Sequence, residues 1–410
     1  MDLKSIIDKK DEIAKWIAND ITHVCKTFEK RSPGTRGEEQ ACEYYAQMAK
    51  ELGCDSAVVE AFEENPGSFY GWIYYSVSLT LASIPAYFVA PALTVGLNAA
   101  SLGIALAQFG AYIKLMDPLF PKKTGHNMTA IKKPKGEVKR RIIFNGHPDA
   151  AWEWPVNYKL GGVGFEGHAI LGFSAIFYYT ILGLLRWKKE GAFAKVADAG
   201  LKKAGLYGLP FVPFLIGLYW LWNENRIVDG ANDNLTGCEM GMAVLKSLKD
   251  EGIELENTEI GVILSGSEEA GLRGAKAWCE AHKGEFDDVP TFIYSYDTIH
   301  DPKYLMVNYR DLNGTVKADK DVSDLFYESA KELGIPCKKG WVPPLGGATD
   351  SAAFAQGGFR VTGITGLNHK LESYYHTRKD SYDNLNEEGI ANCFAVTMKV
   401  LEKFDKGEKQ

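Results

Sequence analysis

The sequence predicts an α/β protein: a mixed, largely parallel sheet sandwiched by helices, with two apolar helical hairpins inserted into it. Three observations carry this expectation. Short strand-like runs alternate with amphipathic helical patterns along much of the 410 residues. Two regions hold long runs without charge, each of a length that suits paired helices. Five short segments rich in His, Asp and Glu fall at predicted strand ends.

Composition excludes several other classes. With 46% apolar and 24% charged residues, the chain is neither disordered nor a disulfide mini-scaffold. Its net charge of −7 argues against a nucleic-acid binder, which would carry a basic excess. Seven cysteines spread from Cys25 to Cys393 without close pairs read as reduced thiols, with no zinc-finger or redox spacing. Met1 to Glu29 carries charges every few residues, so no secretory signal peptide is expected.

In chain order, Asp11–Lys30 places Ile13, Trp16, Ile17, Ile21, Val24 and Phe28 at helical spacing. A second helix starts near Thr35, where Thr35 and Glu38 have the spacing of a capping box. Strands are expected at 57–61, 128–131, 141–144, 259–264, 291–296 and 360–364, and helices at 238–249, 271–282, 322–333 and 387–404. Lys133, Lys135, Lys139, Arg140 and Arg141 read as a solvated basic face that could meet anionic lipid beside a membrane. His23, His126, His168, His282, His300 and His369 have no ligand-like companions and read as surface or core residues.

The uncharged runs are Asn65–Ile113, Gly167–Leu185 and Ala204–Asn223, of 49, 19 and 20 residues. The first is long enough for two membrane spans turning near Pro85 to Pro91, and the others form a second hairpin. Tyr70, Trp72, Tyr74, Tyr75, Trp187, Tyr219, Trp220 and Trp222 flank the runs as an interfacial belt would. The competing expectation is a soluble homodimer that buries the same apolar surface between subunits.

Five segments carry the chemistry. Asn145-Gly146-His147-Pro148-Asp149 pairs an imidazole with an orienting carboxylate. Gly230-Ala231-Asn232-Asp233-Asn234 offers either a helix cap or a carboxylate whose two oxygens bind one cation each. Ser265-Gly266-Ser267-Glu268-Glu269 puts two acids side by side, which is costly unless a positive charge compensates them. Tyr294-Ser295-Tyr296-Asp297 ends another strand, and Tyr374-Tyr375-His376-Thr377 is followed closely by Asp380 and Asp383. Two histidines, three carboxylates and one spare glutamate suit zinc, and two metals sharing a carboxylate would clamp an attacking hydroxide.

In order and surroundings these segments resemble the co-catalytic di-zinc exopeptidase family of bacterial leucyl aminopeptidases, which also contains glutamate carboxypeptidase II and the glutaminyl cyclases. The likeness runs from about Arg31 to Phe404, leaving out the apolar runs, and includes the opening Arg31-Ser32-Pro33-Gly34-Thr35. The resemblance implies two zinc ions bridged by Asp233, with His147 and Asp297 completing one site and Glu269 and His376 the other. It makes Glu268 the general base and Asp149 the residue that holds the His147 ring. Residues 1–65, 114–160 and 225–410 would form the catalytic domain, and 66–113 and 161–224 the apolar insertions.

The match has departures. Many family aminopeptidases carry Tyr shortly before the acidic segment that here reads Gly346-Gly347-Ala348-Thr349-Asp350. The carboxypeptidase branch has Tyr just before the last ligand histidine, where Tyr375 stands, which makes Tyr375 the candidate oxyanion donor. The expected function is therefore a zinc exopeptidase, foremost an aminopeptidase acting on short peptides. A carboxypeptidase or dipeptidase using Arg310, Arg360 or Arg378 for a free carboxylate is the alternative, as is a non-catalytic membrane scaffold. A glutaminyl cyclase fits less well, because such enzymes generally use one zinc. The basic connector Arg186–Lys203 prefers the cytoplasm by charge, yet the missing signal peptide and the unpaired cysteines favour a cytoplasmic catalytic domain on a membrane.

Overall fold

The computed structural model describes residues 3–368 and 372–408, so His369 lies outside the described residues. The chain forms two compact units: residues up to Pro66, Lys122–Trp152 and from Asn225 onward make the first, and Gly67–Pro121 and Glu153–Glu224 the second.

The first unit is built on an eight-stranded sheet. Its strands are β1 (Ser56–Glu64), β2 (Lys123–Lys132), β3 (Arg140–Gly146), β4 (Thr258–Leu264), β5 (Thr291–Ile299), β6 (Met306–Asn308), β7 (Lys338–Gly340) and β8 (Arg360–Gly366). They lie in the order β1-β2-β4-β3-β5-β8-β6-β7. The centre of the sheet, β4-β3-β5-β8, is parallel, whereas β1, β2 and the β6–β8 pairing are antiparallel. Parallel strands are covered on both faces, which explains the continuous apolar runs Ile142-Ile143-Phe144 and Phe292-Ile293-Tyr294, all fully buried. Helix Lys10–Thr27 turns Ile13, Ile17, Ile21 and Val24 inward at helical spacing, and helices Thr236–Asp250 and Glu387–Asp405 join them in one core.

Two sequence expectations need correction here, the capping box and the basic face. Thr35 makes no side-chain cap; its hydroxyl donates to the Ser32 carbonyl at 2.6 Å. Glu38 has turned inward instead, accepting from the His126 backbone N–H at 2.9 Å. Arg141 is not on a solvated face: it is 5% exposed and ion-paired with Glu259 and Asp288. The strands β6 and β7 and the helix Asp350–Gln356 had no pattern to announce them, being three, three and seven residues long.

The second unit carries four helical stretches long and apolar enough to cross a membrane: Ser68–Val89, Pro91–Gly110, Pro155–Glu190 and Ala199–Trp220. The third is 36 residues long with non-helical backbone at Gly161. Between the first two, Ser101 Oγ lies 2.6 Å from Ser76 Oγ and 3.0 Å from Thr80 Oγ1, a hydroxyl seam of the kind that binds helices where water is absent. Gly183 lets the third helix approach Thr94 and Val95 closely. Arg186 is fully buried, donating to Glu190 at 2.6 Å and to the Ala194 carbonyl at 2.8 Å, so one cation of the basic connector is internal. Many large apolar residues face outward, among them Val163, 87% exposed, Phe193, 81%, and Leu160, 66%.

Candidate metal centre

The five segments converge at one end of the sheet. β3 runs out at Gly146 into His147, β4 leads into Ser265–Glu269, and β5 carries Asp297, which is in register with Thr365 of β8. The carboxyl ends of parallel strands are where open α/β sheets bind ligands. Gly146 is needed for this approach, because a Cβ there would lie 2.4 Å from the backbone nitrogen of Cys238 in the helix that follows Asp233. Gly266 is as tightly constrained, since its Cβ would meet the His126 carbonyl at 2.2 Å.

Two donor groups result. His147, Asp233 and Asp297 each present a ligand atom, all within 4.8 Å of one another, and so do Asp233, Glu269 and His376. Asp233 belongs to both: its Oδ1 lies 3.3 Å from His147 Nε2 and its Oδ2 3.1 Å from His376 Nε2. Glu269 Oε1 is 3.2 Å from His376 Nε2. Glu268 stands beside the first group, its Oε2 3.9 Å from His147 Nε2.

The surroundings hold these side chains in place. Asp149 Oδ1 lies 3.3 Å from His147 Nδ1, and the same carboxylate accepts the backbone N–H groups of Glu268 and Glu269 at 3.1 and 3.0 Å. Asp380 accepts from the backbone of Asn232 at 2.7 Å and of Asp233 at 3.2 Å. His300 Nδ1 sits 3.0 Å from Asn232 Oδ1. Arg31 is buried and donates to the carbonyls of Pro148 and Gly230, joining two of the ligand-bearing loops. Tyr375 stacks on His376 with ring centroids 4.1 Å apart.

Electrostatics shows what the site lacks. Burial, together with Asp350, Asp297 and Glu269, pushes the Glu268 carboxyl well above the usual carboxylate range against the pull of His147. Burial and Asp233 raise Asp297 to about 7. Burial works against a charged His376, yet Glu269 and Asp233 lift it to about 10. Among the described residues, buried His147 Nε2, Asp233 Oδ2 and Glu269 Oε1 have no partner in hydrogen-bonding geometry, although each lies 3.1 to 3.3 Å from a nitrogen or oxygen of a neighbouring residue of the two groups. Crowded carboxylates and orphaned nitrogen and oxygen donors are what a buried divalent cation would satisfy, and the donor set suits zinc.

Sequence reasoning missed some supporting residues. Asp380 was visible only as an acid near His376, because its partners lie 147 and 148 residues away in the chain. Asp350 accepts from Ser265 Oγ at 2.5 Å, and Glu38 and Glu64 lie against Ser267. No local pattern marks such contacts. Of the three arginines considered for a free carboxylate, Arg360 is bound to Asp319 and Asp321 at the start of β8, the end of that strand away from Thr365. Arg310 and Arg378 are exposed.

Residues 219–401 match the model of Peptidase family M28, and this match together with the donor set supports a metallopeptidase, a hydrolase of peptide bonds. The matched segment contains Asp233, Glu268, Glu269, Asp297 and His376; His147 precedes it and joins through the sheet. Among curated proteins, none matches the chain. The fold is similar to that of a zinc aminopeptidase from Bacillus subtilis, at 13% identity and TM-score 0.56, covering 95% of each chain. An aminopeptidase from Aneurinibacillus sp. strain AM-1 is similar at 14% identity and TM-score 0.56, covering 95% of this chain and 93% of the other. A glutaminyl cyclase from Bacteroides thetaiotaomicron, solved with N-acetylhistamine, is similar at 12% identity and TM-score 0.51, covering 96% of each chain.

Proposed function

We propose that the chain is a zinc-dependent aminopeptidase that removes N-terminal residues from short peptides and is held in a membrane by its second unit. The observation that carries the reaction is Asp233, one oxygen facing each imidazole, with Glu268 alongside. His147, Asp233 and Asp297 would hold one zinc ion, and Asp233, Glu269 and His376 the other. Zinc held there would supply a Lewis acid for a scissile carbonyl and would acidify an attacking water. Glu268 takes the proton from that water and passes it to the leaving amine, a role its raised proton affinity suits. Asp149 fixes the His147 ring and the backbone that aims both glutamates. Tyr375 donates to the developing oxyanion; burial and the carboxylates of Asp233, Glu269, Asp297 and Glu268 keep its phenol protonated.

Arg360 is committed to Asp319 and Asp321, which takes it away from holding a substrate's free carboxylate. This supports amino-terminal over carboxy-terminal cleavage. Glu268→Gln should lower kcat by about 10³-fold while leaving zinc content at the wild-type two ions per chain. Normal turnover in that variant would remove Glu268 from the mechanism, and wild-type protein without bound metal would end the zinc reading. Cleavage of N-blocked peptides only when their C-terminus is free would replace the aminopeptidase by a carboxypeptidase.

A further inference from the structure

The hydrogens around Ser267 do not balance unless a carboxyl group supplies one. Ser267 Oγ lies 2.7 Å from Glu38 Oε2 and 2.7 Å from Glu64 Oε1, and all three residues are buried. A serine hydroxyl owns a single proton, so it can donate to only one of the two oxygens. The other contact needs a hydrogen that a carboxyl group brings. Two ionised carboxylates would face the same hydroxyl without water between them, which a buried site does not tolerate. Glu38 and Glu64 therefore hold one proton between them.

This link bears on the proposed reaction because of where Ser267 sits. It immediately precedes Glu268, and its backbone is left-handed, φ 54° and ψ 38°. That conformation is unfavourable for a serine and persists only where neighbours enforce it. The Ser267 carbonyl accepts from Arg273 N–H at 3.1 Å, and Asn127 holds Gly266 N–H at 3.0 Å, while among the described residues the side chain is tied through Glu38 and Glu64. Glu38 belongs to the helix Arg36–Glu51, while Glu64 is the last residue of β1. The hydroxyl thus fastens the glutamate-bearing loop to two distant elements of the same unit.

We propose that Glu38, Ser267 and Glu64 form a one-proton latch that sets the aim of Glu268 and Glu269. Glu38 and Glu64 are positioning residues, and the inference rests on Glu268 acting as base and Glu269 as ligand. When the latch proton leaves to solvent at high pH, the two carboxylates repel across Ser267 and the loop loosens. The charged groups facing the pair are Asp149 after β3, Arg273 on the helix Arg273–Ala281, and Lys123 on β2, with Glu39 and His126 close behind.

Glu64→Gln tests the latch in the zinc-loaded full chain. Its amide donates a permanent hydrogen to Ser267 Oγ, so turnover is retained and the alkaline limb of the kcat profile moves to higher pH. Glu64→Ala and Ser267→Ala remove the link; both should lower kcat about 10- to 100-fold with KM little changed, and weaken zinc retention against a chelator by a similar factor. A Glu64→Gln profile identical to wild type, or Glu64→Ala with wild-type kcat and zinc retention, would overturn the proposal. If the wild-type chain cleaves no peptide, the peptidase reading falls and zinc retention alone judges the latch. Loss in Glu64→Ala but not in Glu64→Gln then supports it, and equal retention in both ends it.

Discussion

Asp233 stands just before a helix, where an aspartate would ordinarily cap the first turn. The cap duty falls instead to Asn234, whose Oδ1 accepts the Gly237 N–H at 3.0 Å, and the Asp233 carboxylate is left facing His147 and His376. Asp380 makes this possible by taking the backbone N–H groups of Asn232 and Asp233. In Asp380→Asn one oxygen still accepts, but the amide nitrogen confronts one of those two donors. We expect zinc affinity to fall about 10- to 100-fold, with the folded state retained, as measured by competition with a chelator; unchanged affinity would mean that the loop holds itself. The residues of the two donor groups stood out in the sequence as histidines and acids after strands, and the family resemblance shared them out between two sites. Asp380 did not stand out, because accepting an N–H is something any nearby carboxylate can do.

At the scale of elements, the sheet carries ionisable groups whose burial no sequence pattern reveals. Arg141 is the second residue of β3 and sits within a run of basic residues, yet it is buried against Glu259 of β4. Arg141→Met leaves Glu259 without its buried partner and should cost about 3 kcal/mol in denaturant unfolding. The double variant with Glu259→Met should recover most of that loss, whereas additive losses would show the pair is not coupled. Glu239, on the helix Thr236–Asp250, is fully buried and accepts from Tyr45 Oη at 2.8 Å. Burial and the nearby Asp20 raise its proton affinity well above the ordinary carboxylate value. The folded state therefore binds the Glu239 proton more tightly than the unfolded chain does. Stability from this residue is complete below about pH 4.3 and is lost as pH rises toward the folded value, by at most about 1.4 kcal/mol per pH unit. Glu239→Gln keeps the Tyr45 bond without titrating. Calorimetry should show its Tm above wild type at about pH 8 and no higher at about pH 4; parallel Tm curves would contradict the assignment.

For the whole molecule, the question is what covers the apolar helices of the second unit. Four stretches of 20 to 36 residues reach or exceed the roughly 20 residues a bilayer span requires. In the window scored for each span, between 22% and 50% of the residues are buried within the protein. An apolar surface of this extent does not remain in water, and the hydroxyl seam around Ser101 is the packing expected where lipid replaces water. We expect the protein to sediment with membranes and to resist extraction at high pH until detergent is added. Protein that stays in the supernatant after high-speed centrifugation, as a homodimer, would reassign the same surface to a subunit interface.

Periodicity and residue chemistry were sufficient, by themselves, for the alternation of strands and helices, the uncharged spans and the segments rich in histidine and acids. Each is a local property: a strand that is covered on both faces must be apolar throughout, and a zinc ligand must be one of a few side chains. Tertiary structure alone decided the distances at which Asp233 faces both imidazoles, that Arg141 lies inside, and that Glu38 leaves its helix cap to meet Ser267. Those outcomes depend on partners 86 to 229 residues away in the chain. The free energy of a buried charge is set by what surrounds it in space, which neighbours in sequence do not specify.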